Sequence, residues 1–395
     1  MLTFAGIIFL GIFAFGLLFV TGVGPMFVLG LPQLIARVRK SYGRMSVPYV
    51  EKNSRQPLAL SILIPVFQAP SELEKTLRSI EEARRFPERA GLDSIEICIG
   101  IDGDCSECEE VAESHTVNIF RTHENQGKWR TLKRLVECSG PSQWIAFVDA
   151  GVEWSEDLLV NCAQSFHQQD IMGIAPTYRI KNAGRMSRLF WWIESFIKRA
   201  ENFVGGPISV HGATVLYRRS ELVTALHELG GVSWINDDVV IPLVMRTMFP
   251  EKKIIYQGTM GVHDIVQQEG SDSGRRRLRL ALGNCQWIKW LYPQIWQRNR
   301  SIAILALRRI ARVVWAWWLL FLSLGISLSV LQGGSEPNHY LIPLLSVLSL
   351  PGVVLLRRLL PGVPFIRTIS SAVEGSLKSP LYLITLKQKR RILWN

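Results

Sequence analysis

Charge is absent from Leu2 to about Leu34, the first basic residue being Arg37. An uncharged run longer than the roughly 20 residues that cross a bilayer, with no basic start, fits a cleaved secretory signal poorly and reads as a retained membrane helix. A second cysteine pair is also missing. Cys105 and Cys108 form a CxxC with His115 nearby, but with no further pair of ligands the pattern does not indicate zinc. There is no internal repeat and no low-complexity segment. No basic stripe carries stacking aromatics, so nucleic acid is not an expected partner despite the net charge of +12.

Two further apolar stretches follow, Val313 to about Leu331 and Tyr340 to about Leu356. Arg37, Arg39, Lys40 and Arg44 follow the first run, Arg308, Arg309 and Arg312 precede the second, and Arg357 and Arg358 follow the third. The loop QGGSEPNH between the last two carries neither Lys nor Arg. All basic flanks then fall on one side, which makes that side cytoplasmic and the protein integral to the plasma (inner) membrane. Membrane lipids become partners, and the positive charge is explained by Lys and Arg facing anionic lipid. The six cysteines, in or near the cytoplasmic region, are expected as thiols. The three spans contain no charge that would mark a polar path, which argues against a transporter. Residues 361–395 are interrupted by Arg367, Glu374 and Lys378 and end in KQKRR; an interfacial amphipathic segment fits better than a fourth span, which stays open.

The expected organisation is an N-terminal membrane helix (1–35), a basic linker (36–56), a cytoplasmic domain (57–300), two membrane helices (308–360) and the interfacial segment (361–395). Within the cytoplasmic domain, short β-rich runs alternate with helical stretches, the pattern of an α/β fold with a mainly parallel sheet. Strands are expected at Leu58–Phe67, Ile95–Ile101, Val117–Arg121 and Trp144–Val148, and Ser71-Glu-Leu-Glu74 reads as a capping box for the helix after the first. Polar residues gather where strands end: Asp102 and Asp104 after IEICIGI, Asp149 after WIAFV. Ligands of open α/β sheets bind there, though Asp and Gly also simply make turns. NQGKWRTLKR, which is no Walker sequence, places a Gly before a Lys at a helix start, a geometry suited to an anion. Gly212 inside ISVHGATVLYRRS signals close approach. In WINDDVVIPL, Asn236 or Asp237 can cap a helix, leaving Asp238 free to point into a cleft. Arg275, Arg276, Arg277 and Arg279 offer planar donors for a diphosphate, or form a solvated or lipid-facing basic helix.

In this order, over about residues 58 to 290, the motifs resemble those of the membrane-bound family 2 glycosyltransferases, the group of cellulose, chitin and hyaluronan synthases and ceramide glucosyltransferase. The resemblance implies a GT-A-type (Rossmann-like) domain and an inverting transfer of sugar from a nucleotide-sugar donor, a UDP-sugar by analogy, to a hydroxyl of a lipid-linked or saccharide acceptor. It implies base contacts from the end of SILIPVF (Pro65, Phe67), Asp102 as a base or ribose ligand, Lys128 as a donor contact, and Asp149 of FVDAG as the carboxylate holding Mg²⁺ or Mn²⁺. It further implies Gly212 and Asp237 on the acceptor side, Asp238 as catalytic base, and Arg276, Arg279 and Leu280 where the family has QxxRW. The departures are Gly151 for the second Asp of DxD, Arg276 for Gln and Leu280 for Trp. Loss of that Trp, and only three spans, favour transfer of one or a few sugars over processive synthesis of a polysaccharide. Gly151 leaves two ways to hold a metal: Asp149 with the donor diphosphate, helped by Glu153 or His263, or only weak metal dependence. A catalytically degenerate, membrane-anchored nucleotide-binding scaffold is the competing reading.

Overall fold

The computed structural model describes residues 4–20, 24–25, 28–30, 58–85, 90–180, 185–264, 273–331, 359 and 364–386. They fall into two compact units: one holds the sheet, and the other is made of helices before Gly30 and after Gln268. The break at Gln268 lies earlier than the expected boundary at 300. The helix carrying Arg276, Arg279 and Leu280 therefore groups with the helical unit.

Helix α1 (Phe4–Val20) opens the chain and belongs to the helical unit. The sheet unit follows, with β1 (Ala59–Val66), α2 (Pro70–Ala83), β2 (Ser94–Asp102), α3 (Ser106–Glu113), β3 (Asn118–Thr122), α4 (Lys128–Cys138) and β4 (Trp144–Val148). Then come β5 (Val152–Trp154), α5 (Leu158–Phe166), β6 (Ile171–Ile180), α6 (Arg185–Glu201), β7 (Thr214–Arg218), α7 (Arg219–Glu228), α8 (Asp237–Met248) and β8 (Lys253–Asp264). The strands form one sheet in the order β3-β2-β1-β4-β7-β6-β8-β5.

The first four strands are parallel neighbours, as the alternation of β and helical segments predicts. Beyond β4 the sheet is mixed: β7 runs antiparallel to both β4 and β6, β8 is parallel to β6, and β5 is antiparallel to β8. Central parallel strands are covered on both faces and so read as continuous apolar runs. That is the state of β1 and β4, whose residues are almost all buried. Leu73, Leu77 and Ile80 of α2, at helical spacing, pack into the same core as Ile62, Ile64, Trp144 and Phe166.

The capping box does not form. Pro70 starts α2 at its first helical position, so the N-cap is Ala69, and Ser71, already inside the helix, donates to Glu72 Oε2 instead. A proline there presets the backbone and advances the start. The CxxC is a capping device too. Cys105 is the N-cap of α3, its sulfur accepting from Cys108 N at 3.4 Å while its thiol donates to Cys108 Sγ at 2.7 Å. Both are free thiols, and burial, then the hydrogen bond from Cys105, pushes Cys108 up to about 12. His115 is engaged elsewhere, 2.8 Å from Glu81 and 3.1 Å from Glu74.

The helical unit continues with α9 (Ser273–Trp290), α10 (Tyr292–Arg298), α11 (Arg300–Val313), α12 (Trp315–Leu331) and α13 (Pro364–Thr385). Among the described residues no helix is long and apolar enough to cross a membrane. Helices α1 and α12 are described for 17 residues each, about 26 Å at 1.5 Å per residue. The third expected span lies wholly outside the described residues, as do the basic linker and the end of the C-terminal segment. Helices α1 and α12 pack closely: Phe9 stacks on Phe321 with centroids 6.0 Å apart, and the Trp318 ring fills the space a Cβ on Gly16 would need.

Candidate active site

The parallel strands β2, β1 and β4 end together, and each delivers a polar or aromatic residue to one edge of the sheet. Asp102 closes β2, Phe67 follows β1, and Asp149 follows β4. Because β7 runs the other way, its start lies beside the end of β4, and Asp149 N donates to Ala213 O at 3.0 Å. The segment before β7 continues past the first turn of α8: Val210 N donates to Asp238 O at 2.9 Å, and a Cβ on Gly212 would lie 3.5 Å from that of Asp238. Gly212 thus sits ahead of the strand, in the connection, where the backbone passes close to Asp238.

Lys128 ties the edge together. Its ammonium lies 2.7 Å from Asp149 Oδ1 and 3.2 Å from Asp237 Oδ2. Burial works against this charge, but the Asp149 and Asp237 carboxylates outweigh it and hold the group above the ordinary lysine range. Lys128 opens α4 behind Gly127, whose φ of +88° is open to glycine at little cost. Asp102 fixes that turn. Its Oδ1 accepts from Gln126 N and its Oδ2 from Gly127 N, each at 2.7 Å, and Thr122 Oγ1 donates to Oδ1 at 3.1 Å. At 1 % exposed, Asp102 is a buried brace of the loop that aims Lys128, a geometry different from the open ligand contact its motif position implies.

The other expected positions are placed as follows. Pro65 is buried in β1 opposite Gly100 of β2. Phe67 is half-buried, and a Cβ on Gly103 would come within 3.5 Å of its ring. Between Phe67 and α2, Gln68 holds φ at +46°, a left-handed conformation uncommon outside glycine. Asp238 is half-buried one residue into α8, beside Asp237 at its first position. Asn236 is the N-cap but makes no side-chain capping bond. Arg276, Arg279 and Leu280 lie on α9 in the helical unit; Arg279 and Leu280 are exposed, and the side chain of Arg276 lies outside the described residues. Glu153 and His263 are register partners in the antiparallel β5–β8 pair.

Gly151 has a backbone explanation. Its φ is +96°, and its N–H and that of Val152 both donate to Thr76 Oγ1, at 3.0 and 3.1 Å. Trp154 N donates to Ser79 Oγ at 3.1 Å. Two hydroxyls of α2 therefore hold the turn that carries the chain from Asp149 into β5. Among the described residues no three His, Cys, Asp or Glu side chains cluster to hold a metal. The donor set nonetheless suits a hard cation carried by a substrate: Mg²⁺ is commonly bound through one or two carboxylates plus phosphate oxygens, and the Asp149 side chain is 39 % exposed.

Two features had no counterpart in the sequence reading. Tyr217 is fully buried on β7; burial, then the Asp237 and Asp238 carboxylates, push its phenol well above the ordinary range, so it stays protonated. An aromatic group surrounds His211, the neighbour of Gly212, with centroids 5.2 Å from Trp191, 5.6 Å from Tyr178 and 5.7 Å from Tyr256. Tyr256 Oη lies 3.3 Å from His211 Nε2 and donates to Ser195 Oγ at 2.9 Å. The signal available in the sequence was His211 beside the close-approach glycine; its partners come from three other elements.

Residues 61–223 match the family model described as Glycosyl transferase family 2. This stretch is similar to the family 2 glycosyltransferases over 61–223. It runs from β1 into α7 and stops short of Asp237 and Asp238. No curated protein matches the chain significantly. Among solved structures, the chain is similar to the mannosyltransferase PcManGT from Pyrobaculum calidifontis, in complex with GDP-Man and Mn²⁺. The identity is 15 %, the TM-score 0.59, and the match covers 94 % of this chain and 99 % of that one. At that identity the likeness establishes an α/β GT-A-like fold. Two other similar structures are residues 1–349 of TarS from S. aureus (10 % identity, TM-score 0.38, covering 82 % and 92 %) and the glucosyl-3-phosphoglycerate synthase of Mycobacterium tuberculosis with phosphoglyceric acid (14 %, 0.41, covering 57 % and 78 %).

Proposed function

We propose that this chain is a membrane-bound, inverting glycosyltransferase that moves a sugar from a nucleotide-sugar donor to a hydroxyl of a lipid-linked or membrane-proximal acceptor, with Asp238 as general base. The observation that carries the reading is the arrangement around Lys128, which draws a carboxylate from the end of β4 and one from the start of α8 to one ammonium, with Asp238 next in line. Such a site has the two things the reaction needs. A fixed cation and exposed Asp149 face the end where negative charge builds on a departing diphosphate. An aspartate beside a close backbone approach stands where an acceptor hydroxyl can be relieved of its proton.

Mg²⁺ or Mn²⁺, held by Asp149 and the donor phosphates, would supply further charge neutralisation at the leaving group. Lys128 orients Asp149 and Asp237 and contributes fixed positive charge, while Asp102 keeps its loop in place. Arg276 and Arg279 are proposed as additional phosphate contacts, and Pro65 and Phe67 as the base side. The acceptor side is assigned to Gly212, Asp237 and the His211 aromatic group. Membrane attachment is supported by the uncharged helices α1 and α12 and by their glycine-mediated packing, which suits helices in lipid.

The deciding assay screens nucleotide sugars, UDP-sugars first and GDP-mannose among them, for diphosphate release by detergent-solubilised protein with lipid extract, Mg²⁺, Mn²⁺ or chelator. Asp238→Asn should lower turnover about 10²- to 10⁴-fold, the usual contribution of a positioned general base, with an unchanged unfolding midpoint. Normal turnover in that variant would remove Asp238 from the mechanism. Nucleotide binding without turnover on any donor would favour the degenerate scaffold.

A further inference from the structure

Helix α6 is amphipathic in the reverse sense. Leu189, Trp192, Ile193 and Phe196, at the i, i+3, i+4, i+7 spacing of one face, are 42 to 61 % exposed. The opposite face buries Glu194, Ser195, Lys198 and Glu201, with Lys198 donating to Ser209 Oγ and the Ser209 carbonyl. A helix packed on a water-exposed protein surface places its polar residues outward. Here the polar residues are consumed inside, and a Trp–Phe pair, Trp192 and Phe196 stacked at 6.0 Å, faces out. Phe203, just past the helix, is 66 % exposed and extends the apolar face. Exposed Arg188 and Arg199 flank one edge of the stripe.

We propose that the outer face of α6 is a membrane-seating surface for an anionic lipid bilayer. An apolar stripe with Trp and Phe at its centre and arginines at its rim is the composition of a helix lying in the headgroup–acyl boundary. The occupant is argued from charge. Arg188 and Arg199 on a chain of net charge +12 would repel the same pair on a second copy, whereas anionic headgroups attract them at about 1 kcal/mol each. The inner side of the helix connects this surface to chemistry: Trp191 packs against Tyr178 and His211, and His211 adjoins the glycine lying against Asp238. Seating α6 in the interface then presents the acceptor side of the edge to a lipid-borne hydroxyl, an extension that rests on the proposed acceptor class.

The test uses the full chain reconstituted into phosphatidylcholine vesicles with and without phosphatidylglycerol, containing a phospholipid with a diazirine in its acyl chain. After irradiation, labelled peptides are mapped by mass spectrometry. The expected result is labelling within residues 188–203, rising with phosphatidylglycerol. In Trp192→Asp/Phe196→Asp that labelling should fall about fivefold or more, and in Arg188→Gln/Arg199→Gln the increment from phosphatidylglycerol should fall about 30-fold, as about 1 kcal/mol for each of the two arginines implies. Diphosphate release without lipid acceptor, measured in the same preparations, reports separately on the transferase reading. Labelling confined to other helices, labelling unchanged in Trp192→Asp/Phe196→Asp, or cross-links joining residues 188–203 of two copies would each overturn the surface.

Discussion

Single residues decide how the site handles charge and where the family pattern is broken. Gly151 stands where the resembled DxD motif has its second Asp, and its φ of +96° shows why glycine occupies the turn. A Cβ there would find ordinary van der Waals room, 3.7 Å from Glu72, so the obstacle is the backbone and not crowding. Gly151→Asp is therefore expected to lose about 1–2 kcal/mol, the scale of a left-handed conformation imposed on an L-residue, and to leave activation by Mn²⁺ no tighter. Urea denaturation and a metal titration of turnover check both; a stable variant with tighter activation would show that the turn readily accepts a second ligand. The sequence signalled the departure but not its cause, because a φ angle is set by the hydroxyl of Thr76, 75 positions away, that receives the turn's N–H. Asp102 shows the same limit. Its place at a strand end was legible, whereas the use of both its oxygens on a neighbouring loop depends on β2 and α4 meeting in space.

At the scale of elements, α2 acts as the clamp of the sheet's open edge. Thr76 Oγ1 accepts two backbone N–H groups and Ser79 Oγ a third, all buried. Removing the Thr76 hydroxyl strands donors that cost about 1–3 kcal/mol each when unsatisfied. Thr76→Val should therefore destabilise by that order and lower turnover through displacement of Asp149, while Thr76→Ser retains both. On its other side α2 is held by His115, between Glu81 and Glu74. Burial opposes the imidazolium, but the two carboxylates raise its pKa above 6.5, and Glu74 is lowered from 4.5, chiefly by its hydrogen bond from His115. A raised His pKa gives stability that is fully present below the unfolded value and lost as pH rises through the folded one. The lowered Glu74 gives stability that disappears as pH falls below 4.5. The midpoint difference between wild type and His115→Gln should thus be greatest between these limits, near pH 5.5, and shrink by about pH 8; a pH-independent difference would show the ion pairs inert. The parallel strands were legible because full burial makes them unbroken apolar runs, Trp144–Val148 being identical in sequence and structure. Strand β5 was not, since a three-residue edge strand carries almost no periodic signal of its own.

For the whole molecule, charge asymmetry carries the argument that no helix length among the described residues supplies. Basic residues cluster at one end of each apolar run, and the loop between the second and third carries none; that bias orients membrane proteins with the basic flanks in the cytoplasm. On the proposed membrane-bound reading, the same bias puts the sheet unit on the cytoplasmic side. Cys138, at the end of α4, offers a native reporter: it is the exposed member of the six free cysteines, four of which are buried. A membrane-impermeant maleimide should modify Cys138 in inside-out vesicles and leave it unmodified in sealed right-side-out ones until detergent is added. Cys138→Ser should abolish the fast phase without altering diphosphate release, since the residue lies at the opposite end of α4 from Lys128. Labelling from the outer face of intact right-side-out vesicles would reverse the orientation, and equal labelling in both preparations would show that the chain does not hold the sheet unit to one side of a bilayer.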